Sequence, residues 1–305
     1  MDLNRNSMEA LFQGFNTSFL KGMEEGRNAW KKFCAILPSG TASNIYPFLE
    51  QFSGMREWTG ERQAKNIASG KLEVVNRDFE ETIAIARNDI EDDQYGIYSA
   101  LIAQLGYHAA NLWQDLAVEA LLSNPLWIDS LPFFSDARTY GESPVSNVTS
   151  SPLSEESYAA ARKTMMGYCG HGGKSLGIIP DLLIVGPGNE SKGFAILKDR
   201  LALRTLSEGD LSGIGATDNP WNGSAELLVL PELSGERENE WFLAASSGVL
   251  KPLFVQQRKL PNLVRMDSDT DENVFFRKEY FYGTDARGEA FLAFPHLLFK
   301  GGVKE

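Results

Sequence analysis

The sequence predicts an α+β fold, and three observations support this prediction. Apolar side chains recur every three to five positions from residue 92 to residue 123, which is typical of one long amphipathic helix. Residues 56–87 instead alternate apolar and charged side chains, as strands with one solvent-facing side do. Three short apolar runs, at 179–187, 226–231 and 241–245, indicate further strands in the second half of the chain.

The N-terminal segment predicts an amphipathic helix, because apolar residues from Leu11 to Met23 recur at spacings of three and four. Gly14, Gly22 and Gly26 are expected to interrupt it. Residues 33–39 form a short apolar run that ends at a proline, and we expect a strand or an extended arm there.

Residues 56–87 predict a long, charged, two-stranded hairpin. Residues 68–71 supply its turn, with Gly70 free to adopt a positive φ. An isolated hairpin is only marginally stable in water, so we expect this one to lie on another part of the structure.

The long helix is expected over residues 93–123, with an acidic pair at its start and Asn124-Pro125 at its end. At 1.5 Å per residue, roughly 30 residues give a length of about 45 Å, which favours a structural element over part of a small compact domain. His108 lies on its apolar stripe and is predicted to be a packed side chain.

Later segments predict shorter elements. Ser154 and two glutamates cap a helix through Met166, a glycine cluster follows at 167–177, and a third helix is expected over 194–203. Aromatic residues in strand-like alternation fill the tail from 274 to 299.

Composition excludes some classes of protein. The 305 residues carry a net charge of −12, which argues against a protein that binds DNA by neutralising its phosphates. The same charge is compatible with a container that surrounds DNA without adhering to it. Two cysteines far apart rule out a disulfide framework. No apolar run reaches the roughly 18 residues of a membrane span, and the first residues do not form a signal peptide, so synthesis in the cytoplasm is expected.

The segment 167–175 ends in Gly-Lys-Ser, as a phosphate-binding loop does. Tyr168 stands where that motif requires glycine, and the segment follows a helix and precedes a strand instead of the reverse. A glycine-rich connecting loop is the better interpretation.

No other pattern nominates a catalytic, cofactor or metal site. The acidic run 267–273 has Glu272 and Lys278 where a calcium loop needs glycine and glutamate, so a solvated turn is expected. Cys169 and His171 are too few for a zinc site, and no pair of carboxylates lies in an apolar setting. The sequence therefore predicts no enzyme, no cofactor and no metal.

Ordered motifs along the chain resemble the Mu-like phage major head subunit (gpT) family. The matching stretches are 11–16 (LFQGFN), 55–62 (MREWTGER), 65–66, 76–80 (NRDFE), 88–96 (NDIEDDQYG), 252–258 (PLFVQQR) and 271–287 (DENVFFRKEYFYGTDAR). Each stretch is weak by itself, but their order and spacing are specific and cover nearly the whole chain.

This resemblance implies a Hong Kong 97-type capsid fold. Its implied parts are an N-terminal arm (1–37), a peripheral domain with a long spine helix (38–55 and 86–130), an extended hairpin loop (56–85), an axial domain (131–250) and C-terminal strands that return to the peripheral domain (251–305).

The implied function is that of a major capsid protein. Copies would self-assemble into hexamers and pentamers of an icosahedral or prolate head that encloses double-stranded DNA without reading its sequence. Expected partners are other copies of the chain, a separate scaffold and maturation protease, a portal and a decoration protein, but no membrane. The expected location is the virion, after assembly in the cytoplasm of the bacterial host.

The hairpin is the predicted contact with a neighbouring subunit. Trp58 is expected to anchor it by apolar burial, and six charged residues to form ion pairs: Arg56, Glu57, Arg62, Lys65, Arg77 and Glu80. Two other interpretations stay open. One is an encapsulin-like compartment shell, and the other, from a different class, is a nucleotide-dependent enzyme.

Overall fold

The structure is a computed structural model that describes residues 5–47, 71–92, 96–140, 143–170, 173–206 and 213–302. Within these residues the α-helices are α1 (Arg5–Glu24), α2 (Arg87–Glu91), α3 (Ile97–Leu122), α4 (Glu155–Met166), α5 (Glu190–Leu197) and α6 (Glu272–Arg277). The strands are β1 (Cys34–Pro38), β2 (Ser43–Pro47), β3 (Lys71–Val75), β4 (Arg77–Ala86), β5 (Thr139–Tyr140), β6 (Ser143–Pro144), β7 (Leu182–Val185), β8 (Leu201–Leu206), β9 (Gly213–Asp218), β10 (Glu226–Val229), β11 (Trp241–Ala244), β12 (Leu253–Lys259), β13 (Leu263–Met266), β14 (Glu279–Leu292) and β15 (Leu298–Gly301).

A five-stranded sheet is built around β14, the longest strand. Its order is β1-β12-β14-β13. The strand β4 also pairs with β14, along the edge of β14 opposite to the one that β12 and β13 occupy. Tyr280, Tyr282, Ala286 and Ala290 of β14 are buried and share one face, because alternate residues of a strand point to the same side. They pack in the same hydrophobic clusters as buried residues of α3.

A second, four-stranded sheet has the order β10-β7-β11-β15. Every residue of β7 and β11 is buried, so the sheet is covered on both faces. The C-terminal strands divide between the two sheets: β12, β13 and β14 lie in the first and β15 in the second.

The helix α1 crosses α3 at very short range. A Cβ atom placed on Gly106 would lie 2.1 Å from the carbonyl oxygen of Phe19, and one placed on Gly22 would lie 1.8 Å from that of Ala103. The prediction that Gly14 and Gly22 interrupt this helix was wrong. The helix runs through both, and Gly22 serves the close approach of two backbones.

The long helix is confirmed, although it begins at Ile97, after Gly96 with φ +67°. The expectation for His108 was wrong. Its side chain is half exposed, its Nδ1 lies 3.0 Å from Glu81 Oε1, and its Nε2 lies 2.8 Å from Gln104 Nε2. The helix is rotated so that Leu105, Ala109 and other neighbouring positions face the sheet instead.

The strand predicted after the hairpin turn is two strands with different partners. β3 pairs with β2, whereas β4 pairs with β14. Asn76 divides them: its buried side chain donates to Thr41 O and Ser39 Oγ and accepts from Gln256 Nε2. Residues 56–67, the predicted first strand, lie outside the described residues.

The third predicted helix, 194–203, was wrong in its second half. The helix α5 ends at Leu197, and a strand begins at Leu201. Asn219 explains the stop, since its Nδ2 donates to the carbonyl oxygens of Ala195, Ile196 and Asp199. These carbonyls would otherwise need further helix turns or water as partners.

Candidate subunit interface

The face of the five-stranded sheet that points away from α3 is half covered. The β2–β3 ribbon packs over Phe254 and Phe291 and buries Val74 among them, while Tyr46 stacks on Phe291 with ring centroids 5.1 Å apart. Tyr46 also donates its hydroxyl hydrogen to Gln256 Oε1 at 2.6 Å. This end of the sheet is therefore closed by the chain itself.

The other end of the same face is open. Strand register places Ala84, Phe281 and Met266 in one row across β4, β14 and β13, and Thr82, Gly283 and Val264 in the next. Val264 is 47% exposed and Met266 48%. We call Ala84, Val264, Met266 and Phe281 the open face.

An exposed aromatic pair lies on α6, the helix that connects β13 to β14. Phe275 and Phe276 of α6 are each 74% exposed, with ring centroids 5.0 Å apart. Asn273 holds this helix at the end of the sheet, because its Nδ2 donates to Met266 O in β13 and to Glu279 O in β14. Exposed apolar side chains of this size, bordered by polar residues, are typical of protein–protein contact sites.

Charged residues border the open face on β4. Asp78 lies 3.1 Å from Arg287, and Asp285, the register partner of Glu80, forms an ion pair with Lys259. The exposed Glu80 accepts a hydrogen bond from Thr82 Oγ1 at 3.0 Å. An apolar centre with a polar rim is the usual anatomy of a protein interface.

Arg77 lies at the start of β4 and is occupied within its own subunit. Its guanidinium contacts Glu119 of α3 at 2.8 Å and Glu289 of β14 at 2.5 Å, and lies over the ring of Phe79. The hydrogen bonds that Arg77 donates to Glu119 and Glu289 raise the pKa of its guanidinium further above the ordinary value. Since residues three apart on a strand point to opposite faces, the structure does not bring Arg77 and Glu80 together.

The other predicted contact residues lie outside the described residues. They are Arg56, Glu57, Trp58, Arg62 and Lys65. Sequence reasoning missed the open face, although a signal was present: Val264 and Met266 alternate with the buried Leu263, so β13 carries apolar side chains on both faces. Such a strand needs cover on both sides.

Other motifs remain structural. The loop after α4 leads to β7 and not to a helix, and Tyr168 donates its hydroxyl hydrogen to Ser146 O at 2.5 Å. In the acidic run, Asp267 is engaged by Arg265 and by the hydroxyl of Tyr282. Among the described residues there is no group of three or more potential metal-binding side chains, and no helix long and apolar enough to cross a membrane.

Cys34 is buried, and burial raises the pKa of its thiol well above the ordinary value. Burial therefore keeps this thiol in its protonated form, whereas the reactive form of cysteine is the thiolate.

Comparison with solved structures shows the fold. The procapsid protein of bacteriophage JBD30 matches 99% of this chain and 77% of its own, with a TM-score of 0.59 and 23% identity. A virus-like particle from Pyrococcus furiosus matches 95% of this chain and 98% of its own, with a TM-score of 0.52 and 12% identity. At these identities the likeness concerns the fold alone, which is of the Hong Kong 97 capsid type.

Comparison with known sequences shows the family. The Mu-like prophage FluMu major head subunit of Haemophilus influenzae is 26% identical over 95% of this chain and 72% of its own length. The major capsid protein of Escherichia phage Mu is 33% identical over 34% of each chain. The model of the Mu-like prophage major head subunit gpT family matches residues 8–152, 140–233 and 216–302. Because these matches span almost the entire sequence, this chain belongs to the Mu-like prophage major head subunit gpT family.

Proposed function

We propose that this chain is the major capsid protein of a Mu-like phage or prophage, and that copies assemble as hexamers and pentamers into a head enclosing double-stranded DNA. The observation that carries the proposal is the family match across residues 8–302. A half-exposed apolar sheet face within the described part of the chain supports it, since a subunit of a shell needs surfaces that other copies cover.

The open face supplies the proposed driving force for one contact. Full burial of a Val, Met or Phe side chain stabilises an interface by about 1.5–3 kcal/mol. The surrounding ion pairs are exposed and contribute about 0–1 kcal/mol each. Apolar burial therefore sets the strength of the contact, and the charged border on β4 fixes which orientation is accepted.

The predicted hairpin contact remains part of the proposal. Arg56, Glu57, Arg62 and Lys65 would pair with charged residues of a neighbouring copy, and Trp58 would be buried there. The acidic balance of the chain supports a role for these three basic residues, because positive groups are the scarcer partners in a protein of net charge −12.

Further partners and the location are proposed from the same likeness. The JBD30 capsid has been solved decorated with minor capsid protein trimers. We propose that this chain also meets a decoration protein, a portal, a scaffold and a maturation protease. Assembly would take place in the host cytoplasm and end in the virion. The net charge of −12 supports a capsid shell that repels the enclosed DNA and so allows it to leave.

The proposal is tested on particles purified from phage-infected or induced cells that express the chain. The particles are imaged by electron microscopy and their contents are identified. Shells that contain DNA are expected. An enzyme cargo in place of DNA would favour the encapsulin-like interpretation, and a small soluble oligomer with nucleotide turnover would favour an enzyme.

A single substitution tests the open face. Met266→Glu places a charge at a contact that is apolar, and we expect at least a ten-fold loss of particles, because an unpaired buried charge is strongly unfavourable. Leu126→Glu is the matched control. Leu126 is also an exposed apolar residue, but it follows the C-terminal end of α3, whereas β13 packs beside the N-terminal half of that helix. Equal particle yields for the two variants would show that the open face takes no part in the contact between subunits.

The hairpin residues are tested in the same assay. A triple change of Arg56, Arg62 and Lys65 to Gln is compared with the same change at three exposed lysines, Lys163, Lys192 and Lys198. Loss of particles only in the first variant is expected, and normal shells from it would contradict the hairpin contact.

A further inference from the structure

The helix α6 and the turn before it present an aromatic centre between two ends of opposite charge. We call this surface the α6 patch, and it consists of six exposed residues: Asp269, Glu272, Phe275, Phe276, Arg277 and Lys278. The first two residues are acidic, the middle two are aromatic and the last two are basic. The patch as a whole is therefore neutral, on a chain of net charge −12.

The charged residues of the patch have no ion-pair partner in the described part of their own subunit. Their acidic neighbours in the turn are engaged: Asp267 contacts Arg265 and Tyr282, and Asp271 accepts from Ser268 N at 2.9 Å. Arg87, whose charge interacts with that of Asp269, forms its ion pair with Glu91 instead. Both ends of the patch are thus available to a partner.

The helix is fixed in place before any partner arrives. Asn273 donates to Met266 O at 2.9 Å and to Glu279 O at 2.7 Å, and Val274 is buried in the core beneath. Lys278 then ends the helix with a φ of +56°, a left-handed conformation that glycine usually supplies at this position. A lysine there keeps a positive charge at the basic end in spite of the unfavourable backbone conformation.

We propose that the α6 patch pairs with the α6 patch of a second copy in the assembled shell. Two copies related by a twofold axis would place their α6 helices side by side in opposite directions, with the aromatic pairs in contact. The acidic end of each patch would then lie against the basic end of the other. The proposal rests on the proposed function and adds to it an interface between identical surfaces.

The charge pattern identifies a second copy as the partner. Turning the patch by 180° exchanges its acidic and basic ends, so an inverted copy presents a positive group to each negative group. A surface of this kind is complementary to itself, as a contact around a twofold axis requires. An acidic or a basic partner would place like charges together at one end. A purely apolar partner would remove all four charges from water without pairing them.

The aromatic pair and the charges have different roles in this contact. Burial of Phe275 and Phe276 supplies its strength, because each ring removes a large apolar area from water. Exposed ion pairs contribute little to strength, and here they select the antiparallel orientation.

The helix dipole offers a competing explanation for the charges alone. Acidic residues near the start of a helix and basic residues near its end stabilise the helix itself. That effect acts within one subunit and does not account for two exposed phenylalanines at the centre. It also predicts a different result when the two ends are exchanged.

Charge exchange separates the two explanations. The acidic-end variant carries Asp269→Lys and Glu272→Lys, and the basic-end variant carries Arg277→Glu and Lys278→Glu. Each variant brings like charges together between copies, so the yield of DNA-containing particles is expected to fall by about ten-fold or more. The combined variant, with all four substitutions, restores opposite charges between copies, and its yield should return to within about two-fold of the wild type.

The dipole explanation predicts instead that the combined variant is the poorest of the three. Its failure to recover, or normal yields from the acidic-end and basic-end variants, would overturn the proposed pairing. The control variant carries Glu24→Lys and Glu25→Lys, which change the net charge as the acidic-end variant does, at exposed positions of another helix end. An equal loss of particles in this control would assign the effect to net charge and likewise overturn the pairing.

Cross-linking tests the contact without a change of charge. Phe276→Cys places a thiol at the centre of the patch, and mild oxidation of purified particles should give a dimer on a non-reducing gel that a reducing agent separates. Leu126→Cys, at another exposed apolar position, is the control, and the native Cys34 is buried. Particles of the Phe276 variant that give no more dimer than the control would refute the pairing and leave the proposed function intact. Failure of the wild-type chain to form DNA-containing particles would refute the proposed function itself.

Discussion

At the scale of single residues, buried polar side chains decide how the segments meet. The side chain of Asn147 is fully buried, donates to the carbonyl oxygens of Phe133, Pro295 and Leu298, and accepts from Ser135 N. Lys300 is likewise buried, beside Glu240 and over the rings of Phe134 and Phe242. Each group would be strongly unfavourable without its partners, so each specifies one arrangement of the chain.

His296 makes stability depend on pH. Its pKa is about 3 in the folded chain because of burial, against about 6.5 when unfolded. Below pH 6.5 the unfolded chain binds a proton that the folded chain does not, so the stabilising effect of a neutral His296 is complete above pH 6.5 and is lost progressively as the pH falls towards 3.

We therefore predict that the free energy of unfolding of the subunit falls by about 2 kcal/mol more in the wild type than in His296→Gln between pH 7.5 and pH 5. Urea titrations of both proteins at several pH values measure this difference. A constant difference between the two proteins at every pH would show that His296 does not titrate on unfolding.

At the scale of elements, the crossing of α1 and α3 fixes the N-terminal segment on its own subunit. Phe15 and Phe19 are buried there, and Phe15 meets the ring of Tyr282 edge-on at 5.1 Å. Arg265 adds an ion pair to Glu9 and lies over the ring of Phe12. The chain then continues through Arg27 and Trp30, whose backbone nitrogens donate to the side chains of Asn111 and Gln114 of α3.

Two glycines of this helix pair should respond oppositely to alanine. Gly106→Ala forces the backbones of α1 and α3 apart, and we expect a loss of about 2–3 kcal/mol in stability. Gly14→Ala meets nothing within 4 Å in an exposed helix interior and should stabilise the chain by about 0.5–1 kcal/mol.

Denaturant unfolding of the two variants and the wild type measures both effects. Protection of α1 amides from hydrogen exchange tells whether α1 has separated in the Gly106 variant. Equal stability of the two variants would mean that the crossing is looser than the structure shows.

At the scale of the whole molecule, an acidic chain that assembles must overcome its own repulsion. The net charge of −12 acts over about 30 Å at 0.01 M salt but only about 8 Å at 0.15 M. We predict that association of subunits, followed by light scattering, becomes several-fold faster when salt is raised between these concentrations. A neutral co-solute at equal osmolality is the control, and slower association in salt would mean that ion pairs, and not apolar contacts, drive assembly.

The sequence by itself determined the α+β class, the long helix and the family. Period and motif order are local properties, so the spacing of apolar residues after Gly96 and the ordered stretches up to Arg287 could be recognised without coordinates. The same holds for the cap of α4, where Ser154 and Ser157 bond reciprocally within four residues. The rejection of a phosphate-binding loop at Tyr168 rested on spacing and was equally local.

Only the tertiary structure decided which faces are covered. The end of α5 depends on Asn219, and the division of the predicted hairpin strand at Asn76 depends on Gln256, so both follow from contacts distant in sequence. His108 was misplaced because a helical stripe gives the period of burial but not the exact rotation of the helix against its sheet. The open face could not be predicted for the same reason: the sequence does not tell a buried apolar residue from an exposed one, and packing alone separates Leu263 from Val264.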